Sequence, residues 1–468
     1  MFGSLIQTFT NCFKIPELKS RIFFTVLLLA IARLIAFVPV PGLDHQALKA
    51  WFESNAGTGG LLNMYNLFTG DAMSHGAVGS LGIMPYISAT IIIQLLTAVI
   101  PQLSKAAREE GGRAKIIQYG RYLTVVLCVI LGTSTALSWE NPNALFGGNW
   151  NMGNLVLDPG WWYRIQTVIL LTTGTMLLMW LGEQITERGI GNGVSLIITI
   201  GIIASLPGAV AQVKEMFFPG GGVEASHNIT DAAVMVVTII LVIAVVIAVT
   251  QAQRKIPVQY AQRAVGRKIY AGQSSFMPLR VNYAGVMPVI FASAILMFPQ
   301  KIFVTVGSAF KPENGAFSKF MSETCLALAR LLGDGSLTYL VLFGLMILFF
   351  SYFWTATQFN EIQIADDLKK NGGYIPGVRP GTPTSDFLHN TMSRITLAGA
   401  LFLTGIAVLP IVLGNAMKIP PVVAGFFGGT SMLITVGVML DTMRQIESHL
   451  LMRHYDGFLK KGKIRGRL

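Results

Sequence analysis

The sequence predicts an all-α polytopic membrane protein, on three observations. Ten long apolar segments recur along the 468 residues, and the lysines and arginines crowd into every second loop between them. Hydrophobic residues make up 52% of the chain against 12% charged, which leaves little polar surface for soluble domains. The segments lie at about 22–40, 79–100, 122–138, 161–182, 194–213, 229–250, 284–304, 335–357, 394–414 and 422–443. Each is roughly 17–23 residues, the length at which a helix crosses a hydrocarbon core ~30 Å thick. Lipid offers no hydrogen bonds to bare peptide groups, so such spans are helical.

The charges orient the chain. One side carries Lys14, Lys19 and Arg21, then Lys105, Arg108, Arg113, Lys115 and Arg121, then Arg188. The same side carries Arg254, Lys255, Arg263, Arg267, Lys268 and Arg280, then Lys369, Lys370, Arg379 and Arg394, and a basic tail from Arg444 to Arg467. The opposite loops hold only Lys49, Lys214, Lys301, Lys311, Lys319, Arg330 and Lys418; Arg33 and Arg164 lie in spans. The positive-inside rule makes the basic side, with both termini, cytoplasmic. Trp139, Trp150, Trp161 and Trp162 cluster at an outer boundary, where amphipathic indoles prefer to sit. Residues 1–20 lack the compact apolar core of a cleavable signal, so the first span is expected to remain. The net charge of +12 sits beside lipid and on cytoplasmic loops, where it sets topology and meets acidic partners.

Ten spans divide as five plus five, and five is odd. The second half therefore starts on the opposite side from the first, as an inverted repeat requires. No residue-level similarity links the halves, so the count permits the repeat without demonstrating it. The expected organisation is an N-terminal half at 1–213, an outer hinge loop at 214–228, a C-terminal half at 229–443 and a cytoplasmic tail at 444–468.

Two cytoplasmic loops are large. Residues 251–282 hold six basic residues and no acidic one, with β-type runs at Ile256–Tyr260 and Arg267–Tyr270 beside the turn-prone Ala271-Gly272. This reads as a protruding, hairpin-like arm. Residues 358–394 carry Asn371-Gly372-Gly373, Pro376-Gly377 and Arg379-Pro380-Gly381-Thr382-Pro383, breakers that demand turns. A basic loop ordinarily serves topology and solubility; an ordered arm without acids favours a docking surface.

Between the first two spans, residues 41–80 are too polar to cross and are interrupted by Gly57, Gly59, Gly60, Gly70, Gly76 and Gly79. Within them Leu61–Phe68 forms a short amphipathic helix. Two readings stay open: a helix lying in the membrane interface, or one folded back into a protein-lined cavity at membrane depth.

Several function classes lose support. Cys12, Cys128 and Cys325 have no metal or disulfide spacing, and no H-E-x-x-H occurs. Gly189-Ile-Gly-Asn-Gly193 follows a helix and lacks the spacing of a dinucleotide loop, so it reads as a tight turn. An enzyme would need a phosphate loop or a nucleophile constellation, and neither is present. A transporter of small charged solutes would place ionisable groups at mid-bilayer. An oligomeric ion channel would need a filter of carbonyl or charged rings. Spans two, five, seven and ten offer Ile, Val, Gly and Ser at their centres instead.

Five motif blocks carry a resemblance. They are LGIMPYISATIIIQLLT from Leu81, MWLGEQITERGIGNG from Met179, PLRVN from Pro278 leading to GVMP from Gly285, PGVRPG from Pro376, and FGGTS from Phe427. In their order and spacing the chain closely resembles the SecY/Sec61-alpha family, channel subunits of the Sec protein translocase, over about residues 5–460. The resemblance implies two pseudo-symmetric five-helix halves, an inverted repeat, around a central pore. It implies no cofactor and no enzymatic activity of the chain's own. It places an aliphatic pore ring at Ile83, Ile87, Val194, Ile198, Ile290 and Ile434. Ile83 and Ile87, like Val194 and Ile198, are four apart and share a helix face. An aliphatic residue in a span ordinarily faces core or lipid, so only the motif match singles these out. A ring of this kind dewets, which blocks ions yet deforms around a polypeptide.

The resemblance makes the short helix a plug, expected at about 61–75 and including Asn63, Met64, Tyr65, Asn66, Leu67 and Phe68. It places the second and seventh spans at a lateral gate that opens to lipid. Gln94 and Asn282 there are candidates for a weak amide pair holding the gate, although amides in spans usually serve packing, typically for ~0.6–2 kcal/mol. Arg33 is expected to snorkel or pair inside the bundle, without a transport role. Arg379, on a Pro/Gly-fixed turn, is implied as a contact for the SecA motor ATPase or the ribosome, whose RNA phosphates suit a planar charged fork. Arg254, Lys255, Arg263, Arg267 and Lys268 would make the neighbouring docking surface. Further implied partners are SecE, SecG, signal peptides, nascent chains, SecD/SecF, YidC and membrane lipids. The implied location is the bacterial inner membrane.

Overall fold

The computed structural model of the chain describes residues 15–54, 61–109, 111–142, 150, 153–217, 229–260, 263–265, 268–270, 274–309, 316–333, 336–417, 419, 423 and 430–461. Helix occupies part of each of the ten predicted segments. α1 is Pro16–Ile35, begun by a proline whose missing N–H costs nothing in a first turn. α2 (His45–Ser54) and α3 (Leu61–Thr69) follow in the connection to α4 (Met84–Val99). α5 (Pro101–Arg108) leads to the long α6 (Gly112–Glu140) and α7 (Trp161–Arg188). The fifth segment, expected as one span, is two helices, α8 (Gly193–Ala204) and α9 (Leu206–Phe217), broken at Ser205. Pro207 explains the break: it lacks the N–H that an unbroken helix needs there, and its ring crowds the preceding turn. The hinge expected at 214–228 thus begins as helix, and its remainder at 218–228 lies outside the described residues.

The second half opens with α10 (Ile229–Gln251), continues into strands β1 (Gln253–Tyr260), β2 (Arg263–Val265), β3 (Lys268–Tyr270) and β4 (Ser274–Arg280), and re-enters as α11 (Met287–Ala309). An amphipathic helix, α12 (Ala316–Leu331), precedes α13 (Leu337–Gln358) and α14 (Glu361–Lys370). β5 (Gly373–Tyr374), α15 (Thr382–Met417) and α16 (Thr430–Lys461) complete the order. Ser336 caps α13 by accepting from the Tyr339 N–H at 3.0 Å, and Asn360 caps α14 by accepting from Gln363 at 3.1 Å.

Among the described residues, six stretches are long and apolar enough to cross a membrane: within α6, α7, α8–α9, α10, α13–α14 and α15. α4 and the first part of α11 are shorter apolar helices. α1 carries Lys19, Arg21 and Arg33, and α16 carries Asp441, Arg444 and Glu447, charges that dilute their apolar stretches. Phe23, Val26 and Leu34 on α1, Val237, Ile240 and Leu241 on α10, and Val341 and Leu345 on α13 all face outward. A soluble protein rarely exposes apolar surface on that scale, whereas lipid accepts it.

Packing divides the helices as the five-plus-five count requires. α1, α4, α6, α7 and α8 pack on one another, and α10, α11, α13, α15 and α16 form the second group. The groups meet along two seams, α4 against α11 and α8 against α16.

The basic arm and the second large loop are one structure. β1 pairs antiparallel with β4 (Arg254 opposite Leu279, Ile256 opposite Met277) and on its other edge with β5 (Gln259 opposite Tyr374). The Ile256–Tyr260 run lies in β1, and the Arg267–Tyr270 run contributes β3, which pairs with β2. Its hairpin closes between residues 265 and 268, and Ala271-Gly272 lies outside the described residues. Along β1, Ile256 and Val258 point to one buried face while Lys255, Pro257 and Gln259 alternate with them and stay exposed. Ile256, Leu279, Phe359, Ile375, Leu388, Met392 and Ile395 form a small core beneath this sheet.

On the opposite side, the connection after α1 folds into a compact cap. Val40, Leu43, Leu48, Trp51, Phe52, Tyr65, Met73, Leu81, Trp139, Trp150 and Leu155 share its core. Here the tryptophan expectation divides. Trp161 and Trp162 are exposed, as boundary residues should be, but Trp139 and Trp150 are buried in the cap because the 36–83 connection covers them.

Candidate conduction site

The four helices that form the two seams are those carrying the expected ring. Ile83 and Ile87 come from the start of α4, Val194 and Ile198 from α8, Ile290 from α11 and Ile434 from α16. Ile83, Ile87, Ile198, Ile290 and Ile434 are all buried in one apolar cluster, with Val194 packed against it. Local geometry aims them. Residues 189–193 turn tightly between α7 and α8: Thr25 Oγ1 accepts the Ile190 N–H at 3.0 Å, and Thr186 Oγ1 accepts that of Gly193 at 2.9 Å. Asn192 then caps α8 through the Ser195 N–H. Gln445 on α16 accepts the Gly191 N–H at 2.8 Å, tying the turn to the other half.

α3 is buried against this cluster. Tyr65, Asn66, Leu67, Phe68 and Thr69 are all buried, and Phe68 belongs to the same apolar cluster as the ring isoleucines. Of the two readings left open, the burial of Tyr65–Thr69 supports the helix folded back into protein. The side chains of Asn63 and Met64 lie outside the described residues. The helix also ends earlier than the expected 75. Gly70 and Asp71 have φ of 65° and 66°, so the chain leaves the helix there and returns through turns to Ile83. Gly70 is required at that point, because a Cβ would lie 2.7 Å from the Gly201 Cα of α8 and collide with Arg33 Nη1. Burial pushes the Tyr65 phenol well above its ordinary range, and its hydroxyl donates to Leu81 O at 3.2 Å.

Two polar pockets lie near the apolar cluster. One, of about 440 Å³, is lined by Asn192, Arg280, Asn282, Asp441, Arg444 and Gln445 on the basic side. The other, of about 340 Å³, is lined by Lys49, Glu53, Asn66, Asp71, His75 and Ser205. A smaller cavity under Phe68 and Ile83, lined also by Arg33 and Ile198, holds only about 30 Å³. Branched aliphatic side chains thus fill the buried core near which both pockets lie.

The amide pair is not formed. Gln94 is exposed on α4, while Asn282 is buried, lines the larger pocket and has no protein partner for its Nδ2. Position along the helix is the reason: Gln94 shares the face of Ile87 and Ile91 but lies past the buried stretch of α4, whose residues 92–99 are all half-buried or exposed. Arg33 is paired inside the bundle, donating to Gly70 O at 2.6 Å with its guanidinium over the Phe37 ring. Arg164, the other cation within a span, is bonded to Glu140.

Arg379 is exposed on the turn between β5 and α15. Thr384 Oγ1 donates to its carbonyl at 2.8 Å, and Val378 donates back to Ile375 O at 3.0 Å. Ile375 is in the small core below, so the turn is anchored and the guanidinium presented. Arg254 and Lys255 are exposed on β1 of the same sheet. Arg263 and Lys268 lie in the β2–β3 hairpin with side chains outside the described residues, as is the whole of Arg267.

Sequence reasoning missed Asp71 and Ser205. Ser205 Oγ donates to Asp71 Oδ2 at 3.0 Å, and Asn66 Nδ2 donates to Asp71 Oδ1 at 2.9 Å. An acid next to a glycine in the segment before a pore helix was the available signal. Its partner, 134 residues away, had none.

A multi-pass helical bundle in two groups of helices, with a short helix buried against their shared apolar core, has the architecture of a membrane channel. The family model described as SecY matches residues 77–443. The protein translocase subunit SecY of Chlamydia trachomatis serovar D is 41% identical over 468 residues, covering 99% of this chain and 100% of its own. The chain belongs to the SecY family. A structure described as that of a protein conducting channel matches with a TM-score of 0.60 at 17% identity, covering 94% of this chain and 96% of that one. Sec61 in a canine ribosome–channel complex from the endoplasmic reticulum matches at 0.54 and 16%, with the same coverage. At those identities the structures speak for the fold, and they agree with the sequence match.

Proposed function

We propose that the chain is the central subunit of a Sec translocon, conducting unfolded secretory polypeptides across a bacterial inner membrane and releasing transmembrane segments sideways into lipid. The observation that carries this reading is the convergence of Ile83, Ile87, Ile198, Ile290 and Ile434 into one apolar cluster with Phe68, near two polar pockets. An aliphatic seal suits a long, chemically varied substrate, because branched side chains give way without selecting a particular charge. In this reading ten spans cross the membrane with both termini cytoplasmic. α3 is the plug, and the α4–α11 seam is the lateral gate.

The chain itself is passive. SecA, using ATP, or a translating ribosome supplies the drive and docks on the sheet-and-turn surface of Arg379, Arg254 and Lys255, with Arg263, Arg267 and Lys268 in the adjoining hairpin. The relatedness to a translocase subunit and the fold shared with a ribosome-bound channel support such partners. SecE, SecG, SecD/SecF and YidC complete the expected assembly.

The direct test is transport by the reconstituted complex. Purified with its small companion subunits and placed in vesicles with motor and ATP, it should carry a secretory precursor to a protease-protected lumen. Absence of protection with an active motor would sink the proposal.

The gate gives a second expected result. Asn282→Leu replaces an amide nitrogen without a protein partner by apolar packing, favouring the closed arrangement by about 1 kcal/mol. Precursors with weakly hydrophobic signals should slow about fivefold more than those with strong signals, since the latter have binding energy in excess. Initial rates for a matched pair of precursors read this out. Equal slowing of both would leave Asn282 as packing alone.

A further inference from the structure

We propose that the Ser205–Asp71 hydrogen bond, braced by Arg33, is the latch that sets how strongly apolar an incoming segment must be before the plug is released. This rests on the channel reading above.

The plug meets the surrounding helices at its C-terminal turn. There the chain passes through Gly70 and Asp71, both in the left-handed region, and Asp71 is the one non-glycine residue with positive φ among the described residues. An L side chain disfavours that conformation, and aspartate tolerates it better than most. Something must hold it. Asp71 Oδ1 is occupied within the plug by Asn66 Nδ2, whose own Oδ1 accepts from the Ser74 N–H at 2.9 Å. Oδ2 is left to reach outward, and Ser205 Oγ donates to it at 3.0 Å. Arg33 of α1 clamps the neighbouring carbonyl of Gly70 at 2.6 Å. The turn is thus bonded to α1 and to the α8–α9 junction.

The position of Ser205 makes this a coupling. It ends α8, the helix that carries Val194 and Ile198 of the constriction, and it stands at the break before Pro207. A polypeptide that pushes α8 aside at Ile198 moves Ser205 with it, away from Asp71. Asp71 and Ser205 both line the 340 Å³ pocket, so water replaces the broken bond at once. A bond to a carboxylate beside water is worth about a tenfold shift in the opening equilibrium. That is small enough for an apolar segment to overcome and large enough to reject a weak one.

The test uses the full chain, reconstituted with motor and ATP, as wild type, Asp71→Ala, Ser205→Ala, the double variant and Asp71→Asn. One readout is transport of a weak-signal precursor relative to a strong one. The other, independent of transport, is deuterium uptake by peptides within 66–80 in the resting protein. Each alanine variant should raise the weak-to-strong ratio about tenfold and speed uptake in 66–80. The double should do no more than Asp71→Ala alone, since that variant already removes the Ser205 bond along with the Asn66 contact. Asp71→Asn, which keeps an acceptor oxygen and tolerance for the left-handed turn, should recover most of the wild-type threshold. Additive effects, or an unmoved ratio in a wild type that transports normally, overturn the latch alone. Faster uptake in a preparation whose wild type moves no polypeptide overturns the channel reading, and the latch with it.

Discussion

Replacing Ile83, Ile87, Ile290 and Ile434 together with serine is expected to turn a sealed resting membrane into a conducting one. These side chains are buried at 3%, 2%, 2% and 0% exposure in the apolar cluster, so hydroxyls there supply the hydrogen bonds that water now lacks. A constriction that no longer dewets should pass small ions at rest, with conductance up by an order of magnitude or more. The variant also removes four large aliphatic groups, and each truncation costs about 2–5 kcal/mol where the surroundings cannot collapse. Bilayer recordings therefore need a parallel thermal unfolding curve, and single replacements serve if the quadruple form does not assemble. A folded quadruple variant whose membrane stays tight would remove these residues from the pathway.

Arg379→Glu should abolish motor-driven transport while leaving an inserted, folded complex. The side chain is exposed and its turn is held by the Thr384 bond to the Arg379 carbonyl, a contact any residue can make. Folding therefore has little to lose. Docking has much to lose: reversing a presented cation at a charged contact costs about 2–5 kcal/mol, a 30-fold or larger loss of affinity. Arg379→Lys should be intermediate, keeping charge without the planar fork. Transport into vesicles matched for channel content, at limiting motor concentration, is the deciding measurement. Wild-type rates from the glutamate variant would make Arg379 an ordinary solvated loop residue.

How far the site was legible depended on the range of the interactions involved. The turn at 189–193 and the presented Arg379 were readable because glycine and proline act on their own and adjacent residues. That Ile83, Ile87, Ile198, Ile290 and Ile434 share one buried cluster was expected only from the motif match, since an isoleucine in a span gives no local sign of which neighbour it faces. Gln94 shows the opposite failure. Its amide drew attention, but it sits past Ile91, where α4 leaves the buried core and its side chains are half-buried or exposed.

What the sequence by itself determined is the membrane-spanning helical class and where helix falls within its apolar segments. Apolar runs of that length and alternating loop charge act through local composition, whatever the chain does elsewhere. Only the tertiary structure decided that α3 folds inward, that Trp139 and Trp150 are buried, that β1 joins β4 and β5, and that Asp71 meets Ser205. Each outcome depends on surfaces brought together from distant parts of the chain, as with the 134 residues between Asp71 and Ser205. An amphipathic helix of nine residues is equally content in an interface or a cavity, and only the presence of Gly201, Arg33 and the ring around it makes the cavity the lower free energy.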